Sequence, residues 1–178
     1  MTVKQNAKSL TTTAMMAAVL CVLGPLTIPI GPVPVSLANL AIFLTMYILG
    51  TKRGTIACLL YILIGLVGLP VFSGFSGGVT KLAGPTGGYI IGYLPMALAA
   101  GLIITGREDR KLLCIAGMEL ATWILYLLGT AWLAFSVGVT FCRALEVGVL
   151  PFIVLDLIKI IICAYLGPGL KKRLGKFV

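Results

Sequence analysis

Three charged side chains stand deep inside apolar runs: Glu119, Asp156 and Lys159. A charge in hydrocarbon costs on the order of 2.5–3.5 kcal/mol on insertion scales, so such residues persist where they pair or where they serve a pathway or a site. Asp156 and Lys159 belong to Pro151-Phe-Ile-Val-Leu-Asp156-Leu-Ile-Lys159. Spaced i, i+3, they project from one face of a helix. Lys159 precedes Lys171 by about 12 residues, roughly 18 Å of helix. A lysine stem of about 6 Å does not snorkel that far to the interface. Lys159 therefore faces a polar cavity or a partner. One reading is an internal ion pair that only neutralises itself. The other is a clamp for a polar ligand, because a pair on one helix leaves donors and acceptors unused. Glu119 has three readings: part of a polar network, a partner for a base on another span, or a residue of the inner interface.

A second stretch has the chemistry of a ligand wall. It runs Gly68-Leu-Pro70-Val-Phe72-Ser-Gly74-Phe75-Ser-Gly77-Gly78 and continues into Gly84-Pro85-Thr86-Gly87-Gly88-Tyr89. Glycine lets a backbone approach a ligand closely, and Phe72, Phe75 and Tyr89 offer apolar faces for a flat ring. The plain alternative is an outer loop leading into a Pro-started helix. Two other matches fail. Gly74-Phe-Ser76-Gly77 has the pattern of an intramembrane serine protease, but the chain has no histidine to act as base. Lys81 follows a glycine run without the Gly-Lys-Ser/Thr ending of a nucleotide-binding loop. The lack of histidine also excludes His-ligated metal.

The elements that must hold these groups are apolar. Of 178 residues, 60% are hydrophobic and 11% charged, and mean hydropathy is +1.12. Soluble domains run near 45–50% apolar and 25% charged. The length suits about six crossings at roughly 30 residues per span and loop. The expected fold is thus a single all-α integral membrane domain over 1–178, with six transmembrane helices. The spans are Thr13–Leu26, Ser36–Leu49, Gly54–Leu69, a fourth from about Pro85 to Thr105, Leu112–Phe135, and a sixth ending near Leu166 before Gly167-Pro168. Val139–Leu150 reads as a helical entry to the sixth that bends at Pro151. Pro29, Pro32 and Pro34 exclude regular helix between the first two spans.

The +9 net charge lies in short clusters between apolar blocks, which argues for loop ends on a membrane protein rather than a nucleic-acid surface. With the N-terminus inside, the inner segments carry Lys4, Lys8, Lys52, Arg53, Arg107, Arg110, Lys111, Lys171, Lys172, Arg173 and Lys176, and the outer ones only Lys81 and Arg143. Both termini are then cytoplasmic. Five spans with a re-entrant segment is the runner-up, which the C-terminal Lys-Lys-Arg run opposes. Cys21, Cys58, Cys114, Cys142 and Cys163 form no C-x-x-C pair and read as packing residues. Ala14 and Ala18 make a small-x-x-x-small face, suited to close helix approach within the chain or against another membrane protein.

These motifs together resemble the biotin-specific substrate-binding (S) component of energy-coupling factor (ECF) transporters, the BioY family. The resemblance runs from about Leu10 to Lys172. It rests on Gly31-Pro32-Val33-Pro34-Val35-Ser36-Leu37, Gly68-Leu-Pro70-Val-Phe72, Gly84-Pro85-Thr86-Gly87-Gly88-Tyr89 and Pro151-x4-Asp156-x2-Lys159. One departure is Ala38, where the pattern leads to a glutamine after Ser-Leu; the polar contact from that helix is then absent or supplied by Asn39.

The resemblance implies a bacterial multi-pass cell-membrane protein, not an enzyme, that captures biotin at the outer face and carries no cofactor of its own. It implies as partners a transmembrane coupling protein, met through Ala14 and Ala18, and two cytosolic ATPases that bind the ATP. Asp156 is the expected acceptor for the ureido N–H groups, with Lys159 on the ureido oxygen or another anionic group. Phe72, Phe75 and Tyr89 are expected around the bicycle, with bonds from Thr86, Gly87 and Gly88. Lys81, Arg143 and Lys159 are candidates for the tail carboxylate. The alternatives are an S component for riboflavin or thiamine, an intramembrane enzyme, or a purely structural subunit.

Overall fold

The computed structural model describes residues 3–28 and 33–174. Pro29, Gly31, Pro32 and Lys176 lie outside them, as does the side chain of Lys4. Seven helices are found among the described residues. They are α1 (Val3–Leu23), α2 (Ala38–Leu66), α3 (Val79–Ala83), α4 (Gly87–Ile104), α5 (Lys111–Val137), α6 (Phe141–Gly148) and α7 (Ile153–Leu174). Two short strands, β1 (Thr27–Ile28) and β2 (Val35–Ser36), pair antiparallel between α1 and α2, with Thr27 opposite Ser36. The helices α2, α4, α5 and α7 are long and apolar enough to cross a membrane, and Ala7–Leu23 is a shorter apolar helix. Their lipid-type faces stay bare: Leu112, Phe135, Val154 and Tyr165 are among the exposed large side chains.

The expected second and third spans both lie in α2, on either side of Gly50, which has φ 75° and ψ 178°. No loop separates them, because one glycine makes the turn and Thr51-Lys52-Arg53 is already helical. The two halves fold back on each other. Met46 packs against Gly54 near the turn, and the loops that flank α2 meet, the Gly74 N–H donating to the Pro25 carbonyl at 3.1 Å. At the turn the Thr51 N–H, an orphan donor of the second half, is satisfied by the Thr105 hydroxyl at 3.0 Å. Such a φ/ψ pair is essentially confined to glycine and costs other residues about 1–3 kcal/mol. Gly50→Ala is therefore expected to destabilise the detergent-purified protein by that amount, read as a lower Tm. A Cβ at Gly169 meets open space, so Gly169→Ala should leave Tm unchanged or slightly higher.

The last helix also departs from expectation. It continues through Gly167-Pro168 to Leu174 instead of ending near Leu166. Proline removes one i→i−4 bond, but two tertiary contacts hold the extra turn. Gly167 lets the Tyr47 ring lie flat on the helix. Lys171 forms an ion pair with Glu108 in the α4–α5 loop. There burial pushes the Glu108 carboxyl up, while Lys171 and the Gly106 N–H outweigh it and hold it below the usual carboxylate range.

The α4–α5 contact is the most extensive in the bundle and the one that shapes the site. A Cβ on Gly88 would overlap Trp132, and one on Gly92 would press on Leu125. From the other side, Gly129 of α5 takes the Tyr89 ring against its bare backbone.

Candidate functional site

Four segments converge on a polar cluster near the β1–β2 end. Asp156 and Lys159 project from α7, Asn39 from the first turn of α2, Tyr126 from α5, and the Ser36 carbonyl from β2. The pair is closed, with Lys159 Nζ 2.8 Å from Asp156 Oδ1. Asn39 bridges the two: its Nδ2 donates to Asp156 Oδ1 at 2.8 Å, and its Oδ1 accepts from Lys159 Nζ at 3.2 Å. Lys159 places its third N–H on the Ser36 carbonyl at 2.7 Å. The Tyr126 hydroxyl donates to Asp156 Oδ2 at 2.7 Å. Asp156 and Lys159 are only 6% and 8% exposed, so nearly all of this stabilisation is internal.

The count of bonds decides what remains for a ligand. An ammonium has three donors, and Lys159 has used them all. A carboxylate has about four lone-pair sites, and three are taken. The vacant site is on Asp156 Oδ2, the oxygen that carries only the Tyr126 bond. The cluster is thus an acceptor with one opening, held charge-neutral by a saturated cation.

A narrow cleft of about 50 Å³ leads to it. Val35, Ser36 and Asn39 form one wall, Thr86, Tyr89, Ile90 and Tyr93 of the α4 region another, and Leu125, Tyr126 and Phe152 the rest, with Asp156 and Lys159 at the polar end. Tyr89 is fixed from two sides: its ring lies on Gly129, and its hydroxyl donates to the Gly148 carbonyl at 3.0 Å. The wall therefore joins α4, α5 and α6.

Of the residues singled out in the sequence, Asp156, Lys159, Asn39, Tyr89 and Thr86 line this cleft. Phe72 and Phe75 do not. Phe72 is fully buried, edge-on to Tyr61 at 5.7 Å, in the slot left by Gly65. Phe75 has φ 55°, is exposed, and lines a neighbouring apolar groove with Leu26 and Leu155 that shares Val35 and Lys159 with the cleft. Gly87 and Gly88 lie behind the wall, against Leu82 and Trp132. Arg143 is exposed and paired with Glu146, and neither it nor Lys81 lines the cleft. Tyr93 and Tyr126 were missed: a tyrosine in an apolar run carries no charge to betray it. Ala14 and Ala18 stay exposed on α1 while Thr13, Ala17 and Leu20 turn inward. All five cysteines are free thiols, and only Cys142 is exposed.

A neutralised, hydrogen-bonded carboxylate at the end of an aromatic cleft in a lipid-faced bundle defines a multi-pass membrane protein built to hold a small polar solute. The chain belongs to the BioY family, which it matches over residues 1–176. It is 41% identical over 147 residues to the biotin transporter BioY of Thermotoga maritima, covering 83% of this chain and 86% of that one. With the biotin transporter BioY2 of Lactococcus lactis it shares 38% identity over 176 residues, 96% of this chain and 95% of the relative. Its fold is similar to the crystal structure of the S-component for biotin from an ECF-type ABC transporter, with TM-score 0.88 and 33% identity, covering 97% of this chain and 95% of the other.

Proposed function

We propose that this chain captures biotin and serves as the S component of an ECF-type importer. The observation that carries the reading is the single open acceptor site on Asp156 Oδ2 at the end of the cleft. A ureido N–H is a donor suited to it, and a charge-assisted bond of that kind is roughly twice as strong as a neutral one. Lys159 is the charge partner that keeps Asp156 ionised and oriented. Tyr89, Tyr93, Ile90 and Phe152 pack the bicycle. No bond of the vitamin is made or broken on this chain, and ATP is hydrolysed on partner subunits.

The proposed topology has six crossings: α1, the two halves of α2, α4, α5 and α7, with both termini cytoplasmic. Two features support it. The Gly50 turn folds α2 back on itself. The basic residues Lys52, Arg53, Arg107, Arg110 and Lys171–Arg173 lie in or beside the α2 turn, the α4–α5 loop and the end of α7, which the Thr51–Thr105 bond and the Lys171–Glu108 pair bring together, in keeping with the positive-inside bias. The exposed Ala14/Ala18 face of α1 is the surface we assign to a transmembrane coupling protein, which would link this chain to two cytosolic ATPases.

Labelled biotin should bind the purified chain and be displaced by unlabelled biotin but not by excess riboflavin or thiamine. Displacement by either of those, or no biotin binding, would overturn the assignment.

A further inference from the structure

Helices α4 and α5 enclose a second groove, far along the bundle from the polar cluster and next to their joining loop. It is lined by Ile103, Arg107, Leu113, Ala116, Gly117 and Leu120 and has a volume of about 460 Å³. Ile103 packs on the bare backbone of Gly117, which with Ala116 makes a floor of small residues. Leu113 and Leu120 form the rim and are 40% and 58% exposed. From Leu113 to Leu120 the groove runs along two turns of α5, roughly 10 Å, against about 15 Å of hydrocarbon in one leaflet. That length and lining suit an acyl chain.

The loop end of the groove is charged. Arg107 lies just past the end of α4 and is the one polar side chain among the lining residues. A guanidinium has five donors. Only Nη1 is engaged, by long bonds of 3.4 and 3.5 Å to the Leu102 and Ile103 carbonyls. The carboxylates of the same loop are taken by α7: Glu108 pairs with Lys171, and Asp109 with Lys172. Arg107 and Arg110 are in no ion pair among the described residues. Glu119, the one carboxyl of α5, lies roughly 12 Å deeper than Lys111 and does not line the groove.

We propose that this groove binds an anionic phospholipid of the inner leaflet, its acyl chain laid between α4 and α5 and its phosphate on Arg107. Basic pockets between membrane helices on the cytoplasmic side take anionic headgroups, and the free fork of an arginine matches a phosphate in two parallel bonds. Arg110 adds to the positive field at the same loop. A zwitterionic lipid offers the same chain, but its own ammonium competes with Arg107 for the phosphate. The site is separate from the biotin cleft and shares with that reading only the proposed topology, which puts the α4–α5 loop in the cytoplasm.

The test titrates the delipidated chain in detergent with dioleoyl phosphatidylglycerol, dioleoyl phosphatidylcholine or glycerol phosphate, counting bound lipid by native mass spectrometry and following Tm. Phosphatidylglycerol should bind more tightly than phosphatidylcholine and raise Tm at saturation, and glycerol phosphate should do neither. Arg107→Gln should weaken phosphatidylglycerol about fivefold, the worth of one basic residue at an anionic surface, and leave phosphatidylcholine unchanged. Ala116→Phe fills the floor and should weaken both lipids. Arg173→Gln removes the same charge from a residue that does not line the groove and should keep the preference. Equal losses in Arg107→Gln and Arg173→Gln would mean a general surface attraction and overturn the site, as would full binding in Ala116→Phe. A change of oligomeric state in Ala116→Phe with lipid binding intact would make the groove a protein contact and overturn it too. Labelled biotin should bind all three variants as it binds wild type, so failure of the lipid site and failure of the biotin reading appear in different measurements.

Discussion

Asp156→Ala is expected to weaken biotin binding by about one to two orders of magnitude and to destabilise the protein by about 3–5 kcal/mol. The first figure is the worth of one hydrogen bond to a charged acceptor, about 1.5–3 kcal/mol, read at 1.4 kcal/mol per tenfold. The second is the cost of leaving one member of a buried ion pair without its partner. Here the orphan is Lys159, 8% exposed, whose remaining bonds go to a neutral carbonyl and a neutral amide. Asn39 Nδ2 and the Tyr126 hydroxyl lose their acceptor in the same step. The two losses have different cures. Replacing a buried pair by well-packed apolar side chains is often neutral for stability. The double variant Asp156→Ala/Lys159→Met should thus regain much of the Tm and none of the biotin affinity. Titration with labelled biotin and thermal unfolding in detergent read the two quantities separately. If the single variant holds biotin as tightly as wild type, the acceptor lies elsewhere.

The same cluster explains which parts of the molecule could be read from residue types. Asp156, Lys159 and Glu119 announced themselves because a charge in an apolar run has a cost that must be met by something. Helix i, i+3 geometry then put Asp156 and Lys159 together without further information. Their cross-chain partners had no such signal. Tyr126 and Tyr93 pack like any aromatic, and only tertiary structure directs the Tyr126 hydroxyl onto Asp156 Oδ2. Asn39 was noticed for standing beside an unexpected alanine, not for the bridge it makes.

Phe72 shows the opposite case. Its place in a glycine-rich loop suggested a ring-binding wall, but the nearest vacancy large enough for a phenyl is the slot over Gly65, which faces the core. Loop sequence lists the residues that are free to turn and does not say which way they turn. The helices were legible as apolar runs, while their joints were not. Gly50 turns a chain in one residue where a loop was expected, and Pro168 fails to stop α7 because Tyr47 and Glu108 hold the turn beyond it.

Gly129 carries the second large prediction, from a residue that touches no ligand. Helices α4 and α5 approach closely enough that the Tyr89 ring rests on the Gly129 backbone, in the space any Cβ would need. Tyr89 cannot retreat freely, because its hydroxyl is held by the Gly148 carbonyl and lies 3.5 Å from the Thr130 hydroxyl. Gly129→Val must therefore push the ring into the cleft or part the helices. Overpacking of this kind costs about 1–3 kcal/mol in stability, and a displaced wall should weaken biotin binding about tenfold or more. If the ring is the obstacle, removing it relieves the strain: Gly129→Ala combined with Tyr89→Leu should be more stable than the sum of the single changes, a coupling expected only between residues in contact. Binding should stay weak in that double variant, since the wall and its Gly148 bond are gone. Full affinity and unchanged Tm in Gly129→Val would mean that the α4–α5 spacing is not what holds Tyr89 at the cleft.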